Sequence, residues 1–186
     1  MELNVKGDGQ AQSADEIFDV VDEQDRVVSR APRGEVHLRR LRHRAVHVLC
    51  FDRAGRVFLQ RRSMLKDSAP GRWCASCSGH LDAGEDYDAA AVRELGEEIG
   101  VVVSGPEALE RWLRLEARRE TGMEFLWVYR LGYEGPFRLH PAEIMDGRWF
   151  AREEVSAAMR ERPREFAGSF RYIWDRLVWR EASGEG

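Results

Sequence analysis

Cysteine is scarce in this 186-residue chain: Cys50, Cys74 and Cys77 are the only three, and the C-terminal half has none. An odd, sparse set argues against a disulfide framework and fits a reduced, cytoplasmic protein. Long apolar runs are missing too. The longest, around Ala45 to Phe51, is interrupted by His47 and is far too short to span a bilayer. The opening stretch MELNVKGDGQAQSADE is polar, with nothing to serve as the apolar part of a signal peptide. No membrane partner is expected. A basic excess is also lacking, since 29 Lys and Arg stand against 33 Asp and Glu, for a formal net charge of -4. A dedicated nucleic-acid binder usually carries the opposite balance, so no nucleic-acid partner is expected. An anionic small molecule stays open, because a divalent cation can supply positive charge locally.

What is present describes one globular domain. The chain is 43% hydrophobic and 33% charged, and its length allows roughly 70% of the unfolded surface to be buried. A single domain is expected over residues 15–180, with flexible tails at 1–14 and 181–186. Two apolar stretches around the polar turn Glu23-Gln24-Asp25 read as a β-hairpin within Glu16 to Ser29. Strands are expected at His43 to Asp52, Arg56 to Arg61, Trp73 to Ser78, Leu109 to Leu115, Glu124 to Leu131 and Arg148 to Ala151. Helices are expected at Asp86 to Ile99, stopped by Gly100, at Glu153 to Arg160 and at Phe166 to Trp179. Interleaved elements of these lengths predict a layered α/β/α fold with a mixed sheet. Cys74 and Cys77 form a lone C-x-x-C. Zinc would need two more ligands at finger-like spacing, and a redox role would want the motif to open a helix. Neither condition is met.

The chemistry concentrates in GHLDAGEDYDAAAVRELGEEIGV, residues 79–101. On a helical wheel with Glu94 at zero, Glu97 and Glu98 fall at roughly −60° and +40°, so three carboxylates share one face. Val92, Leu95 and Ile99, at about 100° to 160°, form the stripe that faces a core. Three clustered acids repel, and a hard cation such as Mg²⁺ relieves the repulsion while bridging to substrate phosphates. Arg93 stands one residue before Glu94 and four before Glu97, placed to hold a carboxylate.

The full spacing is Gly79, five residues, Glu85, seven residues, Arg93-Glu94-Leu95, one residue, Glu97-Glu98, one residue, Gly100-Val101. In this it resembles the Nudix hydrolase superfamily at each defined position of that family's box. The resemblance implies a Nudix-type α/β/α sandwich and Mg²⁺- or Mn²⁺-dependent hydrolysis of a small-molecule diphosphate. It implies Glu94, Glu97 and Glu98 as metal ligands, Gly79 as a carbonyl donor, Glu85 as a further ligand or loop support, and Arg93 as the orienting residue. Glu97 or Glu98 would be the general base, with Glu143 a candidate from outside the box.

Outside the box, EVHLRRLRHRAVHVLCFD, LQRRS, KDSAPGRW and SGHLDAGE are similar to the branch that includes isopentenyl diphosphate isomerase. In that enzyme, imidazoles upstream of the box, the His after its Gly and a downstream Glu hold a metal. His37, His43, His80 and Glu124 occupy similar places here, and the three histidines could equally be phosphate contacts or surface residues. The isomerase also has a catalytic Cys just before the box Gly, where this chain has Ser78, which speaks against isomerisation. Arg44, Arg61, Arg62, Lys66 and His80 are the expected substrate contacts, and His47 is expected to pack inside a strand. A non-catalytic sensor is disfavoured by the intact box acids. A homodimer through the N-terminal hairpin is a further expectation.

Overall fold

The computed structural model describes residues 13–184, so most of the expected N-terminal tail and residues 185–186 lie outside the described residues. Strands β1 (Ile17–Val21) and β2 (Val27–Pro32) pair antiparallel as the expected hairpin. Its turn places Asp25 at φ 62°, a left-handed conformation that Asp tolerates better than most residues. Helix α1 (Arg33–Arg39) follows at once, with Arg40 closing it at φ 54°. This helix is absent from the sequence reading, because seven residues are too few to display a 3.6-residue period. Its single fully buried apolar side chain, Val36, joins Phe18, Val20 and Ala31 in a small core under the hairpin.

The body is a seven-stranded mixed sheet made of β3 (His43–Phe51), β4 (Val57–Arg62), β5 (Trp73–Cys74), β6 (Cys77–His80), β7 (Glu110–Leu115), β8 (Glu124–Gly132) and β9 (Ile144–Phe150). The main path runs β5-β4-β3-β8-β7, with β6 paired to β3 and β9 to β4. Strands β3 and β8 run parallel in full register, from His43 opposite Glu124 to Phe51 opposite Gly132. Helix α2 (Tyr87–Ile99) packs Leu95 and Ile99 on Val46, Val48 and Cys50 of one sheet face. Helices α3 (Arg152–Glu161) and α4 (Gly168–Ser183) pack Val155, Phe170, Ile173 and Leu177 on Leu49, Leu59 and Val128 of the other. The alternation of β3 side chains between the two cores produces the three layers. Helix α4 continues to Ser183, through the first residues of the expected C-terminal tail.

Strand β9 starts four residues ahead of its expected beginning. The Asp146-Gly147 pair looks like a turn, but Gly147 pairs with Gln60 inside β9, and a glycine is needed there because a Cβ would stand 2.4 Å from the Phe58 ring. The feature that places the functional residues is a fork in the sheet. Strand β3 pairs with β4 through Cys50 and Phe51, and with β6 through Ala45 to Val48. Two strands thus leave one edge of β3, and the side chains of α2 reach between them.

Candidate active site

Helix α2 is held at both ends. The Asp86 carboxylate accepts from the Ala89 N–H at 2.9 Å, and Gly100 turns the chain at φ 66°. With Leu95 and Ile99 committed to the core, Glu94 and Glu98 point into the fork and are 7% and 3% exposed. Glu97 faces outward instead. At the fork, Glu98 Oε2 accepts from Gln60 Nε2 on β4 and from the Ser78 N–H on β6, both at 2.9 Å. Glu94 lies against β6 so closely that a Cβ on Gly79 would stand 1.9 Å from its Oε1.

The Arg93 guanidinium ties this arrangement together. Its Nε and Nη2 grip Glu85 at 2.9 and 2.8 Å, and Nη1 donates to Glu94 at 2.7 Å and to Glu97 at 3.2 Å. Nη2 also donates to the His80 carbonyl at 2.9 Å. Glu85, Glu94 and Glu97 are therefore all joined to the guanidinium, and of the helix acids Glu94 and Glu98 line the cleft. Burial pushes the Glu94 carboxyl up to about 7, with Glu98 and Glu97 adding to the effect and Arg93 opposing it. Such a group holds its charge best beside a cation.

The cleft has a volume of about 800 Å³, and its lining includes Gly79, Glu94, Glu98, Arg62, Lys66, His80 and Glu143. The Lys66 ammonium forms an ion pair with Glu143 Oε2 and lies 3.8 Å from Glu98 Oε1. Arg62 is anchored through Nε to the Ser68 carbonyl at 2.8 Å. Arg44 and Arg61 do not line the cleft. Arg44 is drawn to Asp25 in the hairpin turn at 2.6 Å, and Arg61 Nε donates to the Gly71 carbonyl at 2.9 Å. Arg33, outside the expected contacts, does line it, 5% exposed and bonded to Asp67 at 2.7 Å.

At one end of the cleft, α1, β3, β6 and β8 bring together His37, His43, His80 and Glu124. The ligand atoms of the three imidazoles lie within 4.8 Å of one another. His80 Nε2 is 3.1 Å from Glu124 Oε1, and His43 Nε2 is 3.6 Å from the same oxygen. His43 Nδ1 faces the Leu41 carbonyl at 2.9 Å, which can only accept, so the proton sits on Nδ1. His43 Nε2 is buried beside that carboxylate and has no hydrogen-bond partner. Burial pushes His37 down to about 4, helped by His80 and His43, and lowers His80 against the opposing pull of Glu124. Burial alone would raise Glu124, but the His43 and His80 imidazoles beside it outweigh that and hold the carboxyl well below the usual range. Three imidazoles and a carboxylate converging at one end of the cleft form the donor set of a cation site. At the fork, Gln60 Oε1 is likewise buried without a partner, an acceptor that water on a hydrated ion would satisfy. The donor chemistry therefore fits divalent cations at both places, an oxygen set at Glu94 and Glu98 and an imidazole set at the histidines.

His47 is buried within β3 as expected, and it also borders the cleft. Its imidazole is 4% exposed, with Nδ1 buried and unpartnered, and burial pushes it down to about 4. The readable signal was a polar side chain in the middle of an apolar strand, and Gln60 in β4 carries the same mark. The three thiols are free and buried, which places the C-x-x-C in the core. Cys77 belongs to the core under α2, while the neighbouring Ser78 lines the cleft.

Comparison with known proteins places these features in a family. Residues 41–170 match the model of the NUDIX domain. The chain is 38% identical over 181 residues to an uncharacterized Nudix hydrolase, SCO1686, of Streptomyces coelicolor, covering 96% of this chain and 98% of that one. It is 36% identical over 148 residues to an isopentenyl-diphosphate Delta-isomerase of Nocardia farcinica, covering 78% of this chain and 85% of the relative. Among solved structures, the DR0079 protein of Deinococcus radiodurans superposes with a TM-score of 0.77 at 26% identity, over 87% of this chain and 99% of that one.

Proposed function

Because this chain belongs to the Nudix family, whose hydrolases act on acid anhydrides, we propose that it is a divalent-metal-dependent pyrophosphohydrolase. Its substrate is a small diphosphate ester, of the nucleoside-diphosphate or a related type, cut at the phosphoanhydride bond. The observation that carries this reading is the meeting of two buried carboxylates, Glu94 and Glu98, with Arg62 and Lys66 in one cleft.

Glu94 and Glu98, with the Gly79 carbonyl, would hold Mg²⁺ or Mn²⁺; His37, His43, His80 and Glu124 would hold a second ion. Bound there, a divalent ion neutralises phosphate oxygens and lowers the pKa of water. The remaining work belongs to side chains. Arg62 and Lys66 hold the diphosphate, with Arg suited to two-point contact. Arg93 fixes the Glu94 carboxylate through the hydrogen bonds described above, and Glu85 fixes Arg93. A water attacking phosphorus in line gives its proton to Glu143, a cleft carboxylate paired with Lys66, as the bridging P–O bond breaks and the released phosphate takes its electron pair.

The test is phosphate release from a panel of diphosphates with Mg²⁺. Glu98→Gln should lower turnover by about 10³-fold or more together with metal affinity, and Glu143→Gln should lower turnover alone. Full activity in Glu98→Gln would remove the assignment. The isomerase relatives favour a second reading, but Ser78 occupies the cleft where that chemistry places a thiol, and Cys77 is 0% exposed on the opposite side of β6. A serine hydroxyl does not ionise as a thiol does.

A further inference from the structure

The imidazole cluster is backed by a side chain that can ligate nothing. Phe18 of β1, 2% exposed, packs on all three rings. It is stacked on His80 with centroids 4.8 Å apart and on His43 at 5.9 Å, and it meets His37 edge-on at 6.3 Å. At these separations aromatic rings attract in offset-stacked and edge contacts. A metal-binding imidazole is ordinarily held in its orientation by a hydrogen bond from its second nitrogen. His43 has one, from Nδ1 to the Leu41 carbonyl. Among the described residues, the His80 ring bonds only to Glu124, through Nε2, and the His37 ring makes no hydrogen bond. The three imidazoles also touch one another, but their ligand atoms converge within 4.8 Å and the lone pairs repel. An outer wall is needed to keep them together.

That wall cannot retreat. On either side of Phe18, β1 is bonded to the loop before α2: the Ala83 N–H donates to the Ile17 carbonyl at 2.9 Å, and the Gly84 N–H to the Asp19 carboxylate at 2.7 Å. The same loop carries Glu85, which Arg93 grips. We infer that Phe18 is a positioning residue for the second cation, its ring setting the orientation of His80 and His37 so that three imidazole nitrogens and Glu124 meet at one point. The inference rests on the assignment of an ion to these histidines made above. It gives the hairpin a part in the chemistry, although β1 and β2 lie outside residues 41–170, the span that matches the NUDIX domain. A purely structural role for Phe18 is the competing account, since the ring also belongs to the small core with Val20, Ala31 and Val36.

The experiment titrates Co²⁺ into metal-free protein with Mg²⁺ in excess and reads the visible absorption of nitrogen-ligated Co²⁺. The thermal midpoint of the metal-free protein is measured alongside. In the wild type the band should appear, and His80→Ala should abolish it. Phe18→Leu keeps an apolar side chain but loses the flat face. It should weaken Co²⁺ binding by ~10-fold or more and change the shape of the band, whereas Phe18→Tyr, which retains the ring, should stay within about threefold of the wild type. Val20 shares the hairpin core but supplies no ring to the cluster. Val20→Ala should therefore lower the thermal midpoint and leave Co²⁺ affinity unchanged. An unaltered affinity and band in Phe18→Leu overturns the inference while the histidine site stands. Equal weakening in Phe18→Leu and Val20→Ala also overturns it, because loosening of the hairpin core would then be the cause. If the wild type shows no band, or His80→Ala keeps it, the histidines hold no ion and the inference falls with that assignment.

Discussion

At the scale of the residue, Gly79 shows how much of the site is a matter of clearance. Its backbone conformation is open to any residue, so its smallness is required by the neighbouring carboxylate, 1.9 Å from where a Cβ would stand. Gly79→Ala should displace Glu94 and lower kcat/KM by about 10²-fold, the cost of moving a positioning group by around an ångström. A Mn²⁺ titration should show weaker binding, with the thermal midpoint little changed. Unaltered metal affinity would mean that Glu94 is not a ligand. Position 79 was legible as a motif residue, whereas the reason for it needed β6 and α2 in place. The wheel put Glu94, Glu97 and Glu98 on one face, yet the packing of Leu95 and Ile99 settles which of them enter the fork, and Glu97 stays outside. Arg44 and Arg61 were legible as cations but not as substrate contacts. Their partners are Asp25, 19 residues away, and the Gly71 carbonyl, and neither pairing leaves a mark in the local sequence.

At the scale of the element, α2 was readable from end to end because its cap, its apolar stripe and its closing glycine are all local signals. Helix α1 was not, since it is held by one buried valine and by the hairpin above it. Arg93 links the two kinds of information: it belongs to a legible helix, but its work is to tie that helix to the preceding loop through Glu85 and the His80 carbonyl. A lysine has one point charge where the guanidinium has a planar fork, so Arg93→Lys cannot serve Glu85, Glu94 and the carbonyl together. With the side chain 23% exposed, the loss should fall short of that for a fully buried pair, at about 2 kcal/mol in urea unfolding. Hydrolysis should drop along with it. A lysine variant of wild-type stability would show that the loop is held by other contacts.

At the scale of the whole molecule, the site exists because distant segments converge. Strands β3 and β8 are parallel partners separated by the 72 residues between Phe51 and Glu124, and that pairing brings His43 alongside Glu124. The hairpin closes the same end: the Ala83 N–H donates to the Ile17 carbonyl at 2.9 Å, and the Gly84 N–H to Asp19 at 2.7 Å. Converging burial leaves imidazoles in places where they resist protonation, and this sets how the fold responds to acid. His47 and His37 titrate near 4 when folded, against 6.5 when free. Between those values the unfolded chain binds more protons than the folded one, so stability is complete above pH ~6.5 and falls as the pH drops towards ~4. For the fully enclosed His47 a shift of that size corresponds to about 3 kcal/mol, whereas His37, partly open to solvent, contributes less. Acid also protonates any imidazole that holds a metal, so the measurement belongs on chelator-treated protein, by urea unfolding at pH 7 and pH 4.5. His47→Leu should remove the larger part of the histidine-dependent loss, leaving that of His37 and His80, while Glu94, pushed up to about 7, opposes the loss equally in both proteins. If the variant and the wild type lose stability in parallel, the buried imidazole is already charged in the folded state, and its enclosure on the floor of the cleft does not control its proton.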